Sequence, residues 1–121
     1  MTAHHRARTA DRVRRILADA IRTELRDPRV GFVTLTEVKL SPDLHYAVVY
    51  VSVLESEPQE DSLRALNRAA PFLRRKLAHR GGLRTTPRLR FVLDDVVERG
   101  SRLEQIFEDL RAERREQPDE P

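Results

Sequence analysis

A proline set inside an apolar stripe constrains this chain more than any other feature. Leu66, Ala69, Ala70, Leu73 and Leu77 recur at three- and four-residue spacing, the mark of one buried helix face. Pro71 falls within that stripe. It has no N–H to offer the carbonyl of Asn67, and its ring crowds the preceding turn, a cost of ~3 kcal/mol inside a continuous helix. The segment must kink or divide near residues 69–71. Gly81-Gly82 then ends the second half, and Pro87 leads into a strand over 89–93 with Leu89, Phe91 and Leu93 on one face.

The same segment concentrates positive charge. Residues 62–93, SLRALNRAAPFLRRKLAHRGGLRTTPRLRFVL, hold nine cations and no Asp or Glu, whereas the whole chain has 23 Lys+Arg and 20 Asp+Glu. At about 100° per residue, Arg64, Arg68, Arg75 and His79 lie opposite the apolar stripe. Arg74, Lys76, Arg80, Arg84 and Arg88 widen or extend that basic face, the last from a strand. A solvated face is the plain alternative, but solvated faces interleave both signs, as the last helix does. These nine residues are therefore the candidate nucleic-acid-binding set, which the resemblance described below assigns to RNA. Phosphate contacts supply affinity that falls steeply with salt. Phe72 and Phe91 read as core, so recognition rests on RNA shape and backbone rather than base stacking.

The remaining chain supplies a small layered fold. Residues 1–7 read as a flexible start. Thr9 is the expected N-cap of a first helix with Asp11 in its first turn, and Val13, Ile16, Leu17, Ala20, Ile21 and Leu25 form its stripe. Asp27-Pro28 ends it, because the residue before proline leaves the α region. Arg8, Arg12, Arg15, Arg22 and Arg26 make a second cationic set, with Asp11, Asp19 and Glu24 available as partners. Residues 32–40 and 45–53 read as strands of a hairpin joined by a type I turn at Ser41-Pro42-Asp43-Leu44. The apolar phase switches between Leu35 and Val38, which predicts a bulge near Thr36-Glu37. An acidic loop, 55–61, follows. Asp94 or Asp95 is the expected cap of a last helix with Leu103, Ile106, Phe107 and Leu110 inward, covering Tyr46 and Tyr50. Residues 113–121 read as a disordered tail. The order predicts one α+β domain over 8–112.

Other functions find no support in the residues. There is no cysteine, and no apolar run nears the ~18 residues of a membrane span. His4, His5, His45 and His79 lack metal-ligand spacing. Asp94-Asp95 is explained by capping, Ser41 by its turn, and Gly81-Gly82 by a helix end. The reading is therefore of a cytoplasmic monomer that is not an enzyme. It uses no cofactor, metal, small-molecule substrate or membrane.

Three segments, RDPRVGFVT (26–34), TLTEVKLSPDLHYAVVYVS (34–52) and LRTTPRLRFVLDD (83–95), closely resemble ribosome-binding factor A, in order and spacing, within a likeness running from Arg12 to Leu110. The resemblance implies a type II KH-like domain, with helices mainly on one face of a three-stranded sheet. It also implies a helix-kink-helix in place of the GxxG loop by which KH domains clamp nucleotides. The implied partners are the free 30S subunit and its 16S rRNA, and the implied role is late maturation and processing of 16S rRNA, with support of growth in the cold. The family's Ala-x-Gly kink corresponds to Ala69, Ala70 and Pro71, so proline stands here where glycine is expected. It retains a kink but removes an N–H from phosphate contact. The rival reading is a protein-interaction module using the last helix and turning the basic face to an acidic partner. A duplex-DNA reader fits less well, since a mid-helix proline suits a major-groove helix poorly.

Overall fold

A computed structural model describes residues 2–30, 32–54, 58–95 and 99–116. Its elements are α1 (Ala3–Thr23), β1 (Val33–Leu40), β2 (Tyr46–Val53), α2 (Gln59–Arg68), α3 (Ala70–Gly81), β3 (Arg88–Leu93) and α4 (Arg99–Glu116). The sheet order is β1-β2-β3, with β1 antiparallel and β3 parallel to the central β2. Parallel pairing requires a crossover between β2 and β3, and α2 and α3 provide it.

The hairpin forms as its pattern predicts. Its register shifts between Leu35 and Glu37, and the extra residue turns Leu35, Val38 and Leu40 to one face, where all three are buried. The turn is held by its own side chains. Leu44 N–H bonds Ser41 C=O at 2.9 Å, Ser41 Oγ donates to Asp43 Oδ1 at 2.6 Å, and Tyr46 N–H donates to Ser41 Oγ at 3.1 Å.

Two apolar clusters sit on opposite faces of the sheet. On one, α1, α2 and α3 cover Leu35, Val38, Ala47, Val49, Val51 and Phe91 with Val13, Leu17, Leu66, Leu73 and Leu77. On the other, α4 lays Ile106, Phe107 and Leu110 over Tyr46, Val48 and Tyr50. Both faces of β2 are thus dry from Tyr46 to Val51, which accounts for its unbroken run of apolar residues.

The helix ends differ from the expectations. Thr2, not Thr9, caps α1, its Oγ1 accepting from His5 N–H at 3.1 Å, so helix occupies residues 3–7 where a flexible start was expected. Thr9 Oγ1 instead donates back to His5 C=O, and Asp11 pairs with Arg14 and Arg15 on the helix surface. The helix ends at Thr23, before Asp27-Pro28. At the other end of the chain, α4 begins at Arg99 and runs to Glu116. Residues 96–98, between Asp95 and the described part of α4, lie outside the described residues, and with them the expected capping by Asp94 or Asp95. Asp94 N–H extends the ladder to Val51 C=O at 2.8 Å. The last five residues of the expected tail, 117–121, lie outside the described residues.

Candidate nucleic-acid interface

The hinge divides the basic segment at Ala69, two residues before the proline. Ala69 has φ −83° and ψ −2° and ends α2, while Pro71 sits in the first turn of α3. First-turn N–H groups have no intrahelical acceptor, so a proline there loses nothing and its fixed φ suits the new helix. Ala69 N–H still bonds Ala65 C=O, and Leu73 N–H bonds Ala69 C=O, both at 3.0 Å. The chain thus changes direction without stranding a donor. Gly82 closes α3 in the left-handed region at φ 61°, the usual glycine C-cap. A Cβ there would come within 3.0 Å of the Arg12 guanidinium.

Asn67 fixes the hinge to the sheet. Its Nδ2 donates to Phe91 C=O at 2.9 Å, and Phe91 N–H donates to its Oδ1 at 2.8 Å. The side chain thus takes the place of a neighbouring strand on the outer edge of β3. The sequence carried no signal for this contact beyond an Asn within an amphipathic helix.

The candidate cations fall into two groups. Four are engaged within the protein. Arg74 donates to Thr86 C=O at 2.9 Å and ties α3 to the approach of β3. Lys76 pairs with Glu24 at 3.3 Å and lies 5.3 Å from the Phe72 ring centre. Arg80 reaches Asp19 at 2.8 Å and Glu24 at 2.6 Å, binding α3 to α1. Arg88 is half-buried and is held by interactions of its own. The others face water. Arg68, Arg75, His79 and Arg84 are exposed and have no hydrogen-bond or ion-pair partner among the described residues. Arg64 is exposed and pairs with Asp61 one turn earlier in the same helix, the kind of surface contact worth well under ~1 kcal/mol.

The kink residues line a groove of about 880 Å³ between α3 and the outer edge of β3. Ala70, Pro71 and Leu89 give it apolar surface, Arg75 and Arg88 give it charge, and Glu113 of α4, paired with Arg90 at 2.5 Å, stands across it. The α1–β1 loop lies close by. Hydrogen bonds from the side chain and backbone of Arg29 hold the Asp27 carboxyl below its ordinary range, and the charge of Arg68 adds to the effect. In the first helix, Arg12 donates to Gly81 C=O and Arg22 pairs with Asp19 at 2.6 Å, while Arg8 and Arg26 are exposed. Phe91 is core at 1% exposure, and Tyr46 and Tyr50 are covered by α4. The arrangement presents guanidinium groups to an anion along the hinge side, over a scaffold clamped by the remaining basic residues.

Known proteins match this architecture. A family model described as ribosome-binding factor A matches residues 5–107. The ribosome-binding factor A of Dechloromonas aromatica is 48% identical over 113 residues, spanning 93% of this chain and 92% of its own. The crystal structure of ribosome-binding factor A from Thermus thermophilus superposes with a TM-score of 0.67 at 38% identity, covering 73% of this chain and 94% of that one. The Thermus thermophilus factor as fitted into a cryo-EM map of its 30S complex gives 0.62 at 38% identity, with 72% and 92% covered. By its matched length, its hinge and its three-stranded sheet, the chain belongs to the ribosome-binding factor A family.

Proposed function

We propose that this protein binds the free 30S subunit through 16S rRNA and assists the late maturation and processing of that rRNA. It acts by binding alone, with no chemical step, as a monomer in the cytoplasm. The observation that carries the reading is the row of exposed cations running from the hinge along α3 to just past its end, Arg68, Arg75, His79 and Arg84, which have no hydrogen-bond or ion-pair partner among the described residues. A guanidinium already matched to a carboxylate has little to gain from a phosphate, whereas these retain their full donor capacity. Arg64 joins them by giving up its local pair. Arg74, Lys76, Arg80 and Arg88 support the site from within and add to its positive field. A factor of the same fold occupies a 30S complex, which makes the subunit the natural target.

Pro71 alters how the hinge meets RNA. It offers no N–H to a phosphate, so contact at this point falls to the neighbouring arginines. Binding in this way favours one arrangement of the rRNA, and the factor must leave before the subunit can proceed. Sedimentation of the purified protein with 30S, 50S and 70S particles over a series of salt concentrations tests this reading. Co-migration with 30S alone is expected, weakening steeply as salt rises. Equal association with all three particles, or association indifferent to salt, contradicts it.

A further inference from the structure

Charge on α1 is sorted along its length. Residues 3–18 hold five Arg against one acid, Asp11, and Asp11 is taken up by Arg14 at 2.9 Å and Arg15 at 3.3 Å. The acids of the second half, Asp19 and Glu24, turn to α3, where they hold Arg80 and Lys76. The first half therefore keeps a positive surplus. Arg8 and Arg15 are exposed. Arg8 has no hydrogen-bond or ion-pair partner among the described residues. The contact of Arg15 with Asp11 is a surface pair, weak enough for a phosphate to displace.

This surplus lies against the basic row of α3. Arg12 donates to Gly81 C=O at the end of α3, Arg80 reaches back to Asp19 about two turns further along α1, and Lys76 reaches Glu24 beyond it. The two helices thus run antiparallel, with the end of α3 on the first half of α1. At about 100° per residue, Arg8, Arg12 and Arg15 share one side of α1. Arg12, Arg15, Ile16, Asp19 and Arg80 line a notch of about 430 Å³ between the helices. On α3, Arg75 and His79 point outward, and His79 stands within one turn of Gly82. The exposed cations therefore form two rows, one on each side of the α1–α3 seam, on helices whose axes pack about 8–10 Å apart.

Little on this surface suits an unpaired base. The chain has no Trp, four Phe and two Tyr. Phe91, Phe107, Tyr46 and Tyr50 are buried, and Phe72 is half-buried with the Lys76 ammonium over its ring. Phe32 stands beside Ile21 and Leu25, at the other end of α1 from Arg8. Single strands are held largely by stacking their bases on aromatic rings, whereas a duplex is held through its shape and backbone. Two cationic rows a helix width apart suit the two phosphate strands that border a duplex groove.

We propose that Arg8, Arg12 and Arg15 of α1 extend the RNA-binding surface, and that they and the α3 row straddle a double-helical RNA segment, one row to each phosphate strand. The inference rests on the RNA reading of the basic face and narrows it to paired RNA, with α1 as a second contact element.

The test is fluorescence anisotropy of the full chain over a series of salt concentrations with two labelled probes, an RNA hairpin with a long uninterrupted stem and an oligouridylate of equal length. At about 0.1 M salt each phosphate contact adds close to a decade of affinity, so the stem should bind at least about tenfold tighter than the oligouridylate. Arg8→Gln/Arg15→Gln should keep the wild-type melting temperature and weaken stem binding at least about tenfold. It should also reduce the salt slope by about 1.4–1.8, the release lost with two phosphate contacts. Oligouridylate, which needs only the α3 row, should bind that variant as it binds wild type. Arg8→Lys/Arg15→Lys keeps both charges and should keep the slope. The proposal is overturned if the Gln variant binds the stem as wild type does, if the Lys variant loses the slope as the Gln variant does, or if oligouridylate matches the stem. Wild-type protein that co-sediments with 30S subunits but ignores the stem overturns this inference alone. Protein that binds neither 30S subunits nor either probe overturns the RNA reading with it.

Discussion

Asn67 and Asp43 show how single polar side chains set the geometry of this fold. Asn67 satisfies both backbone groups of Phe91 on the open edge of β3. Leaving such partly buried groups unpaired costs about 1–3 kcal/mol, so Asn67→Ala should lower stability by about 2 kcal/mol in urea unfolding while leaving the sheet assembled. Asp43 works at the hairpin turn. Burial raises its pKa, but hydrogen bonds from Ser41 Oγ and His45 N–H, with the charges of His45 and Arg111, outweigh burial and hold the carboxyl below its ordinary value of 3.8. A carboxylate depressed in this way contributes stability in full above its unfolded pKa, and that contribution is lost as the pH falls through the lower folded value. Asp43→Asn should therefore be less stable than wild type at neutral pH, by no more than about 1 kcal/mol for so exposed a group. Thermal melts from pH 7 downward should show that gap closing below about pH 4. Neither residue's partner was legible in the sequence beyond the turn itself, because the Asn67 contact joins positions 24 residues apart.

Among the elements, the hinge was the most legible and its break point the least. A proline inside an apolar stripe requires a division, and the division occurs. It falls at Ala69 because the new helix takes Pro71 into its first turn, where the missing N–H costs nothing. The backbone bonds at Ala69 and the Asn67 contact with β3 also hold the turn, so the kink is expected to persist without proline. Pro71→Ala should leave 30S association within about twofold and lower stability by roughly 0.4–1 kcal/mol, mainly through a freer unfolded chain; calorimetry alongside sedimentation checks both. A continuous α2–α3 helix in that variant, seen as a rise in helical circular dichroism, would show that proline itself enforces the break. The strands and the bulge at Thr36 followed from alternation alone. The start of α1 did not, because Thr2 and Thr9 are equally good caps by composition and only the run of helix through residues 3–8 distinguishes them. α4 extends past residue 112, and its Glu113 pairs with Arg90 on the surface. Truncation from Glu113 should thus cost less than about 1 kcal/mol in thermal stability.

At the scale of the molecule, the charge of residues 62–93 was plain in the sequence, but its division of labour was not. Spacing along a helix shows which residues are opposite the core, and it correctly set Arg64, Arg68, Arg75 and His79 outward. It cannot show that Asp19 and Glu24, over fifty residues away, come to rest against Lys76 and Arg80. On the proposed reading the exposed arginines are the binding group, while Lys76 and Arg80 form the frame that holds α3 on α1. Comparing Arg68→Glu/Arg75→Glu with Lys76→Gln/Arg80→Gln for 30S affinity and melting temperature separates the two roles. The first variant should lose 30S binding and keep the wild-type melting temperature, whereas the second should melt earlier and keep most of its binding at temperatures where it is folded. Wild-type binding by the first, or loss of binding without loss of stability in the second, would contradict this division.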